Sequence, residues 1–407
     1  MEETARLPNL PVFIFANPAS GSCRASEYIE LQAPYLQLFL PDAIFEVRIH
    51  DLQNLENKAS GFKDLAIMSQ GPLEQKIRVI ACGGDGTFVW VIEECLKAQA
   101  DISKILFCLM PFGTGNDLAA SMGWGRDPPR RIIGQHMKGL KRSLKHWKNA
   151  EISNFDLWNI TINTGPSGGI FKIRKLAKGF ERAQILNDQG EKSSHTRLMS
   201  NYFSIGVDAR IGLGFDKRRS KSKTWNKCIY VWEGLKKMCC MSTHHVQEVI
   251  TEMTEAGDTK IFTSEDLDLS NPAVFVALNV RTYGGGDHRI WERATPSKHY
   301  NAKFGATTLK DQSTGDGLLE FLVFPYSICL ALEQTRATDG QGRRLYQGQG
   351  PFKLDLRKPH AHKKERVYME IDGEYFYLTS PESVTISLAD VSRERRLQIL
   401  TKSMGHC

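Results

Sequence analysis

Short, almost wholly apolar runs alternate with amphipathic stretches through the first 150 residues of the chain. Strand candidates are Pro11–Ala16, Ile44–Ile49, Ile77–Cys82 and Ile105–Met110, and the near-continuous apolarity of Pro11–Ala16, Ile77–Cys82 and Ile105–Met110 predicts parallel strands covered on both faces. Helices are predicted between them, near Ala25–Leu38, Leu52–Met68 and Phe88–Lys97. In the last, Phe88, Val91, Ile92, Cys95 and Leu96 recur on one face, which is the spacing of a helix laid on a sheet. Alternating strand and helix predicts a doubly wound α/β layer.

After residue 150 the pattern shortens. Phe155–Ile162, Met199–Val207, Ala273–Val280, Leu318–Val323, Phe352–Leu356, Arg366–Ile371 and Val384–Leu388 are strand candidates separated by turn residues, and this predicts an antiparallel β-sandwich. Lys178–Thr196 and Met241–Leu269 are polar and read as inserted loops or disordered segments. Arg393–Leu400 reads as a short helix. At 407 residues the chain has room for two domains with substantial cores.

Three of the apolar runs lead into glycine-rich loops: Asn17-Pro18-Ala19-Ser20-Gly21, Gly83-Gly84-Asp85-Gly86-Thr87 and Pro111-Phe112-Gly113-Thr114-Gly115-Asn116-Asp117. In a parallel sheet such loops emerge along the carboxyl edge, where ligands bind. Glycine lets main-chain N–H groups approach a phosphate, and a following helix adds its N-terminal dipole. The candidates for holding a nucleoside triphosphate are Asn17, Ser20, Gly21, Gly83, Gly84, Gly86, Thr87, Gly113, Thr114 and Asn116. Arg24 is placed to reach a phosphate or to lie exposed on a helix. Asp85 is out of place in an anion site unless it holds a divalent cation, takes a proton or orients a group; the plainer alternative is a turn or helix-capping residue.

Composition narrows the classes. No apolar run approaches the length of a membrane-spanning helix, and Met1–Leu7 carries acids with no apolar stretch, so no secretory leader is predicted. The nine cysteines have neither zinc-finger nor redox spacing, and reduced thiols in a cytoplasmic protein are expected. Net charge is +7, clustered at Lys217–Lys223, at Arg357–Arg366 and along Lys138, Lys141, Lys145 and Lys148. The last set shares a predicted helix with Ile133, Met137, Leu140, Leu144 and Trp147, which reads as a solvated helix packed by its apolar face, with attraction to anionic headgroups as the functional alternative. No nucleic-acid motif occurs, so nucleic acid is not an expected partner.

The three loops together resemble the catalytic region of the diacylglycerol kinases, a lipid-kinase family that includes the sphingoid and ceramide kinases. Later segments resemble the family in the same order: Asn201-Tyr202-Phe203-Ser204-Ile205-Gly206-Val207-Asp208-Ala209, Gly284-Gly285-Gly286 with Trp291, Gly315-Asp316-Gly317-Leu318-Leu319-Glu320 and Ile371-Asp372-Gly373-Glu374. The resemblance implies an α/β ATP-binding domain at 1–152, to which the 389–407 tail returns, a β-sandwich lipid-substrate domain at 153–388, and an active site in the cleft between them. It implies transfer of the γ-phosphoryl of ATP, with Mg²⁺, to the free hydroxyl of diacylglycerol in a membrane. Sphingoid or ceramide phosphorylation is the alternative, disfavoured by Thr114 and by the pair Asn116-Asp117, and a nucleotide-binding membrane scaffold is the non-enzymatic one.

Asp85 and Asp316 are the implied metal residues, and Glu374 is the implied base, assisted by Asp372. Locally, Asp372-Gly373 also reads as an ordinary hairpin turn. Ser313 stands where bacterial relatives carry a further metal-binding aspartate, so a second structural metal is in doubt. The chain contains none of the paired Cys/His modules or EF-hand loops of many animal relatives. A cytoplasmic protein that binds anionic membrane surfaces reversibly is expected.

Overall fold

The computed structural model describes residues 7–176, 179–187, 189–218, 229, 246–257, 259–266, 273–284, 289–305, 309–326, 329, 340–358, 366–395 and 397–402. The chain divides into two compact units, 1–155 with 390–407, and 156–389.

The first unit opens with β1 (Asn9–Ala16), a short α1 (Ser26–Ile29), β2 (Tyr35–Leu40), β3 (Ala43–Asp51) and α2 (Leu55–Gln70). It continues with β4 (Ile77–Gly83), α3 (Asp85–Lys97), β5 (Ile105–Pro111), α4 (Asp117–Ser121), α5 (Lys138–Lys148) and β6 (Glu151–Asn154). β3, β1, β4 and β5 are parallel neighbours in that order. Every residue of β4 and β5 is buried, which is why these strands carry no polar alternation. α3 turns Phe88, Val91, Ile92 and Cys95 inward, each fully buried.

The helix predicted over Ala25–Leu38 is corrected. Only four residues are helical; Gln32 then takes a left-handed conformation (φ 51°), Pro34 cannot continue a helix, and Tyr35–Leu40 becomes an edge strand antiparallel to β3. α5 is the amphipathic helix predicted from the Lys138–Lys148 pattern, with Leu140, Leu144 and Trp147 fully buried, but it begins at Lys138: Met137 is left-handed (φ 57°), so Ile133 and Met137, expected on the same helix, lie before it. Gly139 is needed there, because a Cβ would come within 2.6 Å of the Arg131 carbonyl oxygen.

The second unit contains β7 (Trp158–Lys175), β8 (Phe180–Ile185), β9 (Ser194–Met199), β10 (Tyr202–Gly206), α6 (Val207–Arg218), β11 (Ile250–Glu255), β12 (Thr259–Thr263) and β13 (Val274–Leu278). There follow β14 (Thr295–Pro296), β15 (Leu319–Phe324), β16 (Arg343–Gly348), β17 (Phe352–Leu356), β18 (Val367–Ile371) and β19 (Glu374–Leu388). The long β19 organises the sheet. β7 lines one side of it, while on the other side β18 pairs with its first half and β17 with its second. Register shifts around Pro381 separate the halves, so two limbs diverge: β18-β10-β13-β15-β16-β14 and β17-β11-β12. Side chains of both limbs share one core, in which Phe321 meets Phe352 edge-on at 4.7 Å.

The two polar stretches read as loops are corrected as well. They supply β8 and β9, and β11 and β12 with a helical turn at Val246–Val249; residues 178, 188, 241–245, 258 and 267–269 within them lie outside the described residues. β8 presents one exposed face, and an outer strand with polar side chains toward solvent has little apolar periodicity to read.

The chain returns to the first unit through α7 (Asp390–Arg395) and β20 (Gln398–Thr401). The short helix therefore begins before Arg393, and Gln398–Leu400, expected to be helical, is strand. β20 runs parallel to β5 and antiparallel to β6, giving the order β2-β3-β1-β4-β5-β20-β6. Cys23, Cys82, Cys95, Cys108 and Cys329 are free thiols; the other four cysteines, and Gly285-Gly286 of the Gly284-Gly285-Gly286 motif, lie outside the described residues. No described helix is long and apolar enough to cross a membrane.

Candidate active site

The three glycine loops leave the carboxyl ends of β1, β4 and β5 and interlock. Asn17 Nδ2 donates to Thr87 Oγ1 at 3.2 Å, joining the first loop to the second. The N–H groups of Phe112 and Gly113 both donate to the Gly83 carbonyl at 2.8 and 2.9 Å, joining the second to the third. Main chains approach so closely that side chains would not fit: a Cβ on Gly113 would lie 2.4 Å from Gly84 Cα, and one on Gly21 (φ +52°) 2.1 Å from the Phe112 carbonyl oxygen. Gly83 packs against Thr87, and a Cβ on Gly84 would lie 3.2 Å from Gly113 Cα and 3.9 Å from Ser20 Oγ.

Gly86 is different. A Cβ there would meet nothing within 4 Å, at the start of the 13-residue α3, whose N-terminus has no side-chain cap. An open glycine at an uncapped helix N-terminus fits a phosphate. Thr114 is exposed at the tip of the third loop.

Asp85 links two loops. Its Oδ2 accepts the N–H groups of Asp117 at 3.0 Å and Leu118 at 3.3 Å, so it caps α4 rather than its own helix. Asp117 is itself paired with Arg126 at 3.0 Å. Asn116 is placed differently from the expected phosphate contact: it is 1 % exposed, left-handed (φ 58°), and donates to the carbonyls of Gly113 and Arg126. It braces the third loop from inside. Arg24 is held by Glu27 and by the Arg130 carbonyl, so its guanidinium is committed within the protein surface. Among the described residues no three His, Cys, Asp or Glu side chains cluster as a metal cage. A site for Mg²⁺ here fits the pattern of one or two carboxylates completed by phosphate oxygens and water.

Asp372, Glu374 and Asp316 belong to the second unit. Asp372 (φ 49°) and Gly373 (φ 81°) form the left-handed two-residue turn of the β18–β19 hairpin. The Asp372 carboxylate accepts four hydrogen bonds, from Ser200 N and Oγ at 2.6 and 2.8 Å, Asn201 N at 2.8 Å and Tyr202 N at 3.1 Å. Burial raises its pKa and these donors pull against that shift. Both oxygens are engaged, so the geometry favours steering of the hairpin over metal binding. Glu374, at the start of β19, is held by both terminal nitrogens of Arg197, a partner the sequence reading missed; 177 residues separate the two and no local pattern links them.

Asp316 Oδ1 accepts the Leu318 N–H at 3.0 Å, and beside it Asp156 accepts the Gly317 N–H at 2.7 Å. Burial raises both carboxyls, and for Asp156 the charge of Asp316 adds to the shift. Asp156 was also missed; its signal was a lone acid between Phe155 and Leu157.

The profile of the diacylglycerol kinase catalytic domain matches residues 11–148, and that of the diacylglycerol kinase accessory domain matches 198–375. Diacylglycerol kinase 4 of Arabidopsis thaliana is 30 % identical over 354 residues, covering 79 % of this chain and 68 % of its own length. The chain belongs to the diacylglycerol kinase family. Diacylglycerol kinase 1 of Oryza sativa subsp. japonica is 26 % identical over 97 % of the chain and 80 % of its own length. The eye-specific diacylglycerol kinase of Drosophila melanogaster is 26 % identical over 90 % of the chain, which spans 21 % of that longer protein. The glycine loops thus fall in the family's catalytic domain, and Arg197 lies one residue before the accessory-domain match.

Proposed function

We propose that the chain is an ATP-dependent kinase that phosphorylates the free hydroxyl of diacylglycerol to give phosphatidic acid. The interlocked glycine loops with Asp85 among them, in a chain of this family, are the observation that carries the reading. On it, the first unit is the doubly wound ATP-binding layer and the second the β-sandwich that handles lipid. The open edge at Gly86 and the N-terminus of α3 take phosphate, with Asn17, Ser20, Thr87 and Thr114 around it, while Gly21, Gly83, Gly84, Gly113 and Asn116 shape the loops.

Asp85 would hold Mg²⁺, directly or through water, and the ion would supply charge neutralisation on the phosphates. Asp316 is proposed as a further metal residue. Glu374 takes the proton from the lipid hydroxyl as its oxygen bonds the γ-phosphorus and the bond to ADP breaks. Glu374 must leave Arg197 to do so, and Asp372 keeps the hairpin that carries it in place. Reversible binding to anionic membranes is part of the proposal. It rests on the basic residues of α5, Lys138, Lys141, Lys145 and Lys148, and on two further clusters of which Lys217, Arg218, Arg357, Lys358 and Arg366 are described; the rest of those two lies outside the described residues.

Incubation of the purified protein with γ-³²P-ATP, Mg²⁺ and mixed micelles of diacylglycerol, sphingosine or ceramide tests the reading. Label is expected in phosphatidic acid. Label in sphingosine or ceramide instead would move the assignment to the related kinases, and nucleotide binding without transfer would leave a scaffold.

A further inference from the structure

Beyond the third glycine loop, the first unit contains a cavity of about 410 Å³, within the range of small-ligand sites. Its walls are the 124–131 segment, α5 and Lys402, which follows β20; its base includes Met110 and the fully buried Trp147. None of the residues proposed for nucleotide lines it. Five basic side chains do: Arg130, Arg131, Arg142, His146 and Lys402, against one carboxylate, Asp127.

The four Arg and Lys side chains among them make no hydrogen bond or ion pair with any described residue. Ser143, 7 % exposed, also lines the cavity, and its hydroxyl has no protein hydrogen-bond partner among the described residues. Basic side chains on a surface usually find carboxylates; here they are gathered around a concavity and left without them. His146 registers the resulting field, since burial and then the charges of Lys402, Arg142 and Lys145 depress its pKa.

The walls are held in place independently of any ligand. Trp124 Nε1 donates to the Leu400 carbonyl at 2.8 Å, Lys402 N donates to the Met122 carbonyl at 2.9 Å, and Gly139 brings α5 against the 131–132 segment. A preformed pocket loses little entropy on binding.

We propose that this cavity is a second anion site, distinct from the glycine loops, that takes a phosphomonoester. A phosphomonoester carries close to two charges at neutral pH and offers three oxygens, matching forked guanidinium donors on facing walls with the Ser143 hydroxyl beside them. The volume exceeds that of a bare phosphate, and the half-buried Trp124 supplies apolar surface for whatever the phosphate is attached to. The same chemistry comes either on a lipid headgroup or on a free metabolite.

The test measures binding to the intact protein, by calorimetry and tryptophan fluorescence for glycerol 3-phosphate, and by co-sedimentation for phosphatidylcholine vesicles carrying phosphatidic acid. Vesicles of equal surface charge carrying phosphatidylglycerol, a phosphodiester, provide the comparison. Arg131→Glu/Arg142→Glu is expected to weaken phosphomonoester binding by about tenfold or more. Lys138→Glu/Lys141→Glu makes the same charge change on α5 at residues that do not line the cavity and is expected to bind as wild type, as is Gly86→Ala in the glycine loops. Binding of glycerol 3-phosphate assigns a free source, and binding only of phosphatidic acid vesicles assigns a lipid source; both support the site. Equal loss in the Lys138/Lys141 variant, loss in Gly86→Ala, no preference for phosphatidic acid over phosphatidylglycerol with no soluble binding, or no binding at all would overturn it. Thermal unfolding of each variant shows whether a loss reflects misfolding, and Arg142→Gln replaces any variant that fails to fold.

Discussion

Arg197 grips Glu374 at two points, Nη1 on Oε2 at 2.6 Å and Nη2 on Oε1, so the proposed base is occupied by a cation in this conformation. The Glu374 side chain is 45 % exposed, and an ion pair this open contributes within about 1 kcal/mol to stability. Arg197→Gln is therefore expected to leave the unfolding midpoint nearly unchanged and to retain turnover with the carboxylate released. Glu374→Gln should lower kcat by about 10²–10⁴-fold with the KM for ATP unchanged. Steady-state kinetics of the two variants checks both, and an unaffected Glu374→Gln enzyme would place the base elsewhere.

Asp372 should behave oppositely to its neighbour. Its four donors would be stranded by truncation, so Asp372→Ala is expected to cost roughly 3 kcal/mol of stability, read by urea unfolding, with activity falling as folded protein is lost. A variant as stable as wild type but inactive would give Asp372 a direct part in the chemistry.

Asp85→Asn separates capping from metal chemistry. Asparagine caps a helix about as well as aspartate, so α4 should stay in place and the thermal midpoint should hold. Mg²⁺-dependent turnover should drop by about a hundredfold or more. Near-normal turnover would reduce Asp85 to its contact with Asp117 and Leu118.

Two glycines give a paired test of the phosphate edge. Gly21→Ala faces a carbonyl oxygen at 2.1 Å in a left-handed conformation and should be destabilised by about 1–3 kcal/mol. Gly86→Ala enters open space and should fold normally yet raise the KM for ATP, because its methyl group takes the volume proposed for phosphate. Melting curves and ATP titrations distinguish the two.

Glu320 carries a pH signature. It is fully buried, receives Gln347 Nε2 at 2.9 Å, and burial raises its pKa well above the ordinary 4.5. The folded state then retains this proton to higher pH than the unfolded chain, so its contribution to stability is complete below 4.5 and is lost as pH rises through the raised value. Glu320→Gln cannot titrate. Its midpoint relative to wild type, measured with a chelator present, should climb between pH 4 and pH 8; a constant difference would contradict the shift.

What could be read from the chain alone follows from where information is stored. β1, β4 and β5 were legible because burial on both faces leaves an unbroken apolar run, and the three loops because glycine is required where main chains touch at Gly21, Gly84 and Gly113. β2 was not: Tyr35–Leu40 is an edge strand whose mixed apolar and polar residues also suit a helix, and the break at Gln32 is a conformation rather than a residue type. The Asp85 contact to α4, the Asp372 latch on Ser200–Tyr202 and the Arg197–Glu374 pair join residues 32, about 170 and 177 positions apart. Such pairings exist only once the sheets are formed. Asn116 looked like a ligand contact because asparagine beside glycine suits both a ligand and a left-handed brace.

The strand at Gln398–Thr401 lies between β5 and β6 and pairs with both. On the ribosome, the sheet that β1 begins cannot close until Gln398–Thr401 has left the exit tunnel. The second unit, continuous from 156 to 389, is fully available before that moment. Of the two units, the one begun earlier is therefore completed later, and until then β6 has no strand to pair with and the flank of β5 stays open.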